Sequence, residues 1–172
     1  VNSSGVKNYF YSPVGIEKTS IYPVDNYGSS VAPFYISLAL WIGAIMAGII
    51  IKTRYIEKQL YTPIEMYFGR MGLYLMLGIG QALVITIGCF LAGVEVTNPL
   101  LFLLTMILSS MVCMVIIYSF VSVFGIVGKA LSIVVLVFQI SGTGGVYPIQ
   151  IMASFFGVAN AWLPLTYCID AL

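Results

Sequence analysis

The sequence predicts an all-α membrane protein: a polytopic helical bundle of four spans, ending in a re-entrant or interfacial hairpin. Three observations carry this expectation. The 172 residues are 60% hydrophobic with a mean hydropathy of +1.05. Only 8% are charged, against roughly 25% in a soluble domain. The apolar residues also come in runs close to the ~20 needed to cross a hydrocarbon core, and the charges fall between those runs. Inside 71–128 the only ionised side chain is Glu95.

Residues 1–31 are polar and turn-rich, with Gly5, Pro13, Gly15, Pro23 and Gly28. They read as a watery connector, the end of a larger ectodomain, and the chain opens on Val1 rather than Met, as a piece of a longer protein would. Residues 32–172 read as the transmembrane domain. Its first span is expected at about 33–52, uncharged until Lys52, and its second at about 71–93. The third is expected at about 99–124, where Asn98 suits an N-cap and Pro99 the first helical position. The fourth is expected at about 129–147, ending in "FQISGTGGVYPIQ" (138–150). Residues 148–172 hold Pro148, Gly157, Pro164 and Asp170, and their longest helix-like run is too short to cross comfortably. They read as an external hairpin.

Lys and Arg set the expected orientation. The loop between spans one and two holds Lys52, Arg54, Lys58 and Arg70, and Lys129 opens span four. The turn at 94–98 has neither. Basic loops stay in the cytoplasm, so the N-terminal segment is expected outside the cell membrane, with Lys7 and Lys18. A net charge of +1 gives no reason to expect a nucleic-acid partner.

The glycine-rich end of span four is not a phosphate cradle. No Lys follows the glycines, and the context is a membrane helix rather than a strand and helix. The chain has no His, which removes the usual imidazole base and the commonest zinc ligand. An aspartyl pair would need two Asp inside spans, but Asp25 and Asp170 both fall outside them. Cys89, Cys113 and Cys168 lack metal or disulfide spacing and read as packing residues. No enzyme and no cofactor are expected.

Gly142, Gly144, Gly145 and Pro148 therefore read as a helix break. Glycine and proline free backbone groups that lipid cannot serve, so the break must be covered by protein or face water. It is either a hinge or a plain helix terminus. Ala39, Gly43 and Ala47 recur every four positions in span one, and Gly72, Gly80 and Gly88 every eight in span two. Such stripes let backbones approach, within one protomer or across a homodimer. Gln81, Gln139, Ser109 and Ser110 are expected to bond across helices rather than to hold a substrate. The loop 53–70 carries Arg54, Lys58, Glu65 and Arg70, with Ile56, Leu60, Ile64, Tyr67 and Phe68 at helical spacing and Pro63 interrupting them. It is expected to lie on anionic lipid or to dock a cytoplasmic partner.

Four stretches resemble one family, in the same order and over nearly the whole chain: "YPVDNYGSSVAPFYISLALWIGA" (22–44), "YFGRMG" (67–72), "YSFVSVFGIVGKALSIVVLVFQISGTGGVYPIQ" (118–150) and "LPLTYCIDAL" (163–172). They are similar to the C-terminal membrane domain of the YhgE/Pip, or phage infection protein, family. One departure is Asn160-Ala161, where the family often has Asn-Pro. The resemblance implies an ABC-2-type, permease-like bundle related to the EsaA/YueB accessory proteins of type VII secretion. It also implies a large extracellular domain upstream and about five spans, four of them present here. Relatives' ectodomains act as bacteriophage receptors in Gram-positive bacteria. In ABC-2 exporters the loop matching 53–70 meets an ATPase, so the resemblance implies an ATPase or secretion-system partner. The competing expectation is a membrane anchor and dimerisation unit for an extracellular binding domain.

Overall fold

The computed structural model describes residues 27–51, 62–144 and 154–172. They form six helices: α1 Tyr27–Ile50, α2 Pro63–Leu91, α3 Pro99–Phe124, α4 Ile126–Gly142, α5 Ser154–Asn160 and α6 Pro164–Ala171. The first three are long and apolar enough to cross a membrane, and α4 is a shorter apolar helix of 17 residues. No strand occurs among the described residues.

The helices sit where the apolar runs are, but three of them differ from the expectation in their bounds. α1 begins at Tyr27 and carries Pro33 inside it. The helix that holds the second expected span starts before 71. α2 begins at Pro63 and is 29 residues long, about 43 Å at 1.5 Å per residue. Pro63 therefore does not interrupt a helix but opens one. Thr62 is its N-cap in a complete capping box: Thr62 N–H donates to Glu65 Oε2 (2.8 Å), and Glu65 N–H donates to Thr62 Oγ1 (3.3 Å). Proline is tolerated there because the first helical N–H has no partner in any case. α4 starts at Ile126 and ends at Gly142, earlier than expected at both ends.

α3 is the central element, packing against α2 most extensively and also against α1, α4 and α6. Its buried face runs through Phe102, Met106, Ser110, Cys113, Ile117 and Tyr118. As expected, Asn98 caps it, its Oδ1 accepting from Leu101 N–H at 3.3 Å. A single residue, Gly125, joins α3 to α4 with φ 60° and ψ −122°, a region that only glycine enters freely.

α4 is inside-out relative to a helix of a water-soluble bundle, although the core formed by the other helices is largely apolar. The buried stripe of α4 is Gly128, Ser132, Gln139 and Gly142, while Ile126, Leu131, Val134 and Val137 face outward. Lipid supplies no hydrophobic drive between helices, so close backbone contact and polar bonds hold them instead. Ser110 Oγ donates to Gly78 O (2.8 Å), joining α3 to α2, and Trp41 Nε1 donates to Ser132 O (3.2 Å), joining α1 to α4. Lys129 Nζ reaches Ile49 O at 3.3 Å. This places the end of α1 beside the start of α4, so the two helices run antiparallel. At the opposite end Glu95 N–H meets Ser29 Oγ (3.4 Å).

Candidate functional site

Two regions gather the residues that could move or dock: the end of α4 and the head of α2. α4 stops at Gly142, with Thr143 as C-cap and Gly144 at φ 73°. The freed carbonyl of Gly142 is not left to lipid. Asn160 Nδ2 donates to it at 2.8 Å and also to Thr166 Oγ1 at 3.1 Å. One side chain thus ties α4 to both short helices of the C-terminal hairpin. Leu163 presses on the same spot. A Cβ at Gly142 would come within 2.7 Å of Leu163 Cδ1. Gly145 and Pro148, the other two residues of the expected break, lie outside the described residues.

The hairpin reaches well into the bundle. Leu165 is fully buried, and Cys168 is in side-chain contact with Cys113 and Ser109 of α3. Ser109 lies ten residues, about 15 Å, along the helix from Pro99. Ala171 and Leu172 help line a cleft of about 290 Å³ with Ser29, Glu95 and Asn98.

At the other end of the bundle, Pro63, Ile64, Glu65, Phe68 and Gly69 in the first two turns of α2 are exposed. Glu65 is fully exposed. Its carboxyl is held below the ordinary value by the Thr62 backbone N–H and then by the Thr62 hydroxyl. Tyr67 is locked to α3: Tyr118 Oη donates to Tyr67 O (2.8 Å), and Tyr67 Oη shares a hydrogen bond with Ser119 Oγ (3.1 Å). The ring centroids of Tyr67 and Tyr74 lie 5.0 and 4.7 Å from that of Tyr118. Arg70 follows on α2, half-buried. Arg54 and Lys58 lie outside the described residues.

The small-residue stripes part company. On α1, Ala39 and Gly43 meet Gln81, whose Nε2 donates to Ala39 O (3.1 Å) and Leu40 O (3.0 Å) while its amide covers Gly43. Ala47 O accepts from Tyr74 Oη at 3.5 Å. On α2, by contrast, Gly72, Gly80 and Gly88 have open space where a Cβ would stand. The glycine of α2 that packs within the chain is Gly78, against Ser110 and Met114. Gly78 stands outside the stripe expected from the sequence. The sequence reading also gave no role to Asn160, whose side chain bonds the Gly142 carbonyl, or to the Thr62–Glu65 box, which the spacing Thr-Pro-Ile-Glu announces.

Residues 6–172 match the sequence profile of the family described as "ABC-2 family transporter protein". The chain belongs to this family. As an ABC-2 transporter component it is a multi-pass membrane protein. It is also similar to "Uncharacterized protein YhgE" of Bacillus subtilis (strain 168), with 27% identity over 162 residues, 94% of this chain and 21% of that protein. The chain therefore spans about a fifth of the length of the curated relative it matches. No solved structure matches it.

Proposed function

We propose that this ABC-2 component is the permease-like body of an export or secretion assembly, driven by an ATPase bound at the head of α2. The observation that carries this reading is the continuity of that head with the membrane span. Thr62, Glu65 and Arg70 stand on the same helix that packs along α3, and Tyr67 and Tyr118 clasp the two where the head meets the bundle. Arg54 and Lys58 precede it in sequence and complete the proposed docking segment. The distribution of Lys and Arg supports a cytoplasmic position for this end. The N-terminal segment and the Asn160-capped break are then extracellular. In the whole protein an ectodomain upstream serves as the phage-binding part, a reading that rests on the family resemblance.

A second reading has its own support. Gly72, Gly80 and Gly88 leave an open strip along α2, and a strip of this kind suits close approach by the same helix of another copy. The bundle would then anchor and dimerise an extracellular binding domain.

Native co-purification of the full-length protein from its own membrane, followed by mass spectrometry, tests the first reading. An ATP-binding subunit or secretion components should be recovered. Their recovery should fall when Arg54, Lys58 and Arg70 are changed together to Glu. Recovery of the protein alone, or only with itself, at matched solubilisation refutes the exporter reading and favours the anchor.

A further inference from the structure

Gln81 and Gln139 look alike in the sequence, each the lone amide side chain of an apolar helix. The structure treats them differently. Gln81 gives its amide protons to two α1 carbonyls. Gln139 is wholly buried, and neither its nitrogen nor its oxygen has a partner. Thr143, one turn further along the same face of α4, is buried with an unpartnered hydroxyl, and so is Ser37 of α1.

Ser37 and Gln139 lie on the stripes by which α1 and α4 meet, with Thr143 one turn beyond Gln139. The Lys129–Ile49 and Trp41–Ser132 bonds set α1 antiparallel to α4. Ser37 lies one turn beyond Trp41, and Gln139 about two turns beyond Ser132 toward the same end. All belong to the buried stripes of their helices. Polar groups shut away from water cost free energy until something bonds them, and hydrocarbon cannot do so. Buried polar groups of this kind are ordinarily served by internal water. No charge lies in the stripe. α1 has no ionised side chain, and Lys129, the only one on α4, sits at the other end on the Ile49 carbonyl. Groups fit to serve this stripe are neutral and both donate and accept hydrogen bonds.

We propose that Gln139, Thr143 and Ser37 line a hydrated polar subsite between α1 and α4, beside the Asn160-capped end, which admits water and uncharged hydroxyl or amide groups. The proposal stands on this geometry and needs neither an ATPase nor an assigned orientation.

Single cysteines at Gln139, Thr143 and Ser37, in the full-length protein with Cys89→Ala, Cys113→Ser and Cys168→Ser, provide the test. The purified protein is placed in nanodiscs, open from both faces, and treated with methyl methanethiosulfonate, a small uncharged reagent. The thiolate, which forms only where water reaches, attacks the reagent's sulfenyl sulfur to give a mixed disulfide and release methanesulfinate. A thiol in dry apolar surroundings keeps its proton, so Gln139→Cys and Thr143→Cys should label at least about tenfold faster than the control Leu40→Cys. Glycerol in excess slows Gln139→Cys labelling if solute groups enter, and leaves the rate unchanged if water alone does. Gln139→Leu supplies an independent readout. A water-served amide can be replaced with little change in thermal midpoint, whereas removing two orphaned polar atoms raises it by several degrees. Labelling no faster than Leu40→Cys, or a raised midpoint in Gln139→Leu, overturns the proposal.

Discussion

Gly128→Ala is the smallest change that should visibly damage this bundle. Because Gly125 turns the chain in one residue, α4 folds back on α3 at once, with Lys129 N–H already bonded to Gly125 O at 3.2 Å. A Cβ at Gly128 would overlap the Phe120 carbonyl group, with its carbon at 2.5 Å, and meet Val121 N at 3.0 Å. These are backbone atoms and cannot swing aside as a side chain would. α4 must lift or the turn must open, and the Trp41–Ser132 bond four residues on stretches with it. Overpacking costs about 1–3 kcal/mol, and a lost buried hydrogen bond about 1 kcal/mol more. Better helix propensity returns about 1 kcal/mol. The net loss is about 1–3 kcal/mol, which lowers the midpoint by roughly 2–12 °C in a chain of this length. Gly80→Ala is the matched control. It makes the same chemical change in open space, so it should leave the midpoint unchanged or raise it by about 2–4 °C. The assay is thermal unfolding of both variants in one detergent. Equal shifts, or an undisturbed Gly128→Ala, would mean that the α3–α4 turn is not as close as described.

Ser110→Ala removes the bond to Gly78 O and should cost about 0.6–1.7 kcal/mol in thermal stability, the range for hydrogen bonds between membrane helices. Asn160→Asp keeps the size but puts an acceptor against the Gly142 carbonyl. The amides of 165–171 should then exchange hydrogen faster while those of α3 do not, and Asn160→Gln should be milder. The Glu65 carboxyl is held below its ordinary value of 4.5. Its capping contribution is therefore fully present above that pH and lost as pH falls through the lower folded value. Hydrogen exchange at 65–67 should quicken on acidification. It should stay flat in Glu65→Gln, which caps without titrating.

Much of the bundle could be read from the sequence because lipid demands long apolar runs, and their lengths are visible. Asn98-Pro99 announced the start of α3 for the same local reasons that hold it there. Buried faces were harder to find. In these helices apolar residues point both inward and to lipid, so periodicity does not separate the two sides. That is why Gly72, Gly80 and Gly88 looked like a packing stripe, while Gly78 makes the contact through Ser110 of another helix. It is also why Gln81 and Gln139 could not be told apart. Each amide's fate depends on whether a neighbouring backbone happens to stand open beside it. Thr62-Pro63-Ile64-Glu65 was a legible helix start, masked by apolar residues at helical spacing on both sides of Pro63.

The length of α2 has a mechanical consequence. Its 29 residues make a rod of about 43 Å with no joint between the exposed first turns and the membrane span. Force applied near Glu65 cannot be absorbed by a flexible elbow. It must turn the whole rod or stretch the tyrosine clasp that holds it to α3. Pivoting at one end, a tilt of about 10° carries the other end sideways through roughly 7.5 Å, close to the ~8–10 Å that separates packed helix axes. An angular movement that small at one membrane face would be enough to part the far end of α2 from a neighbouring helix.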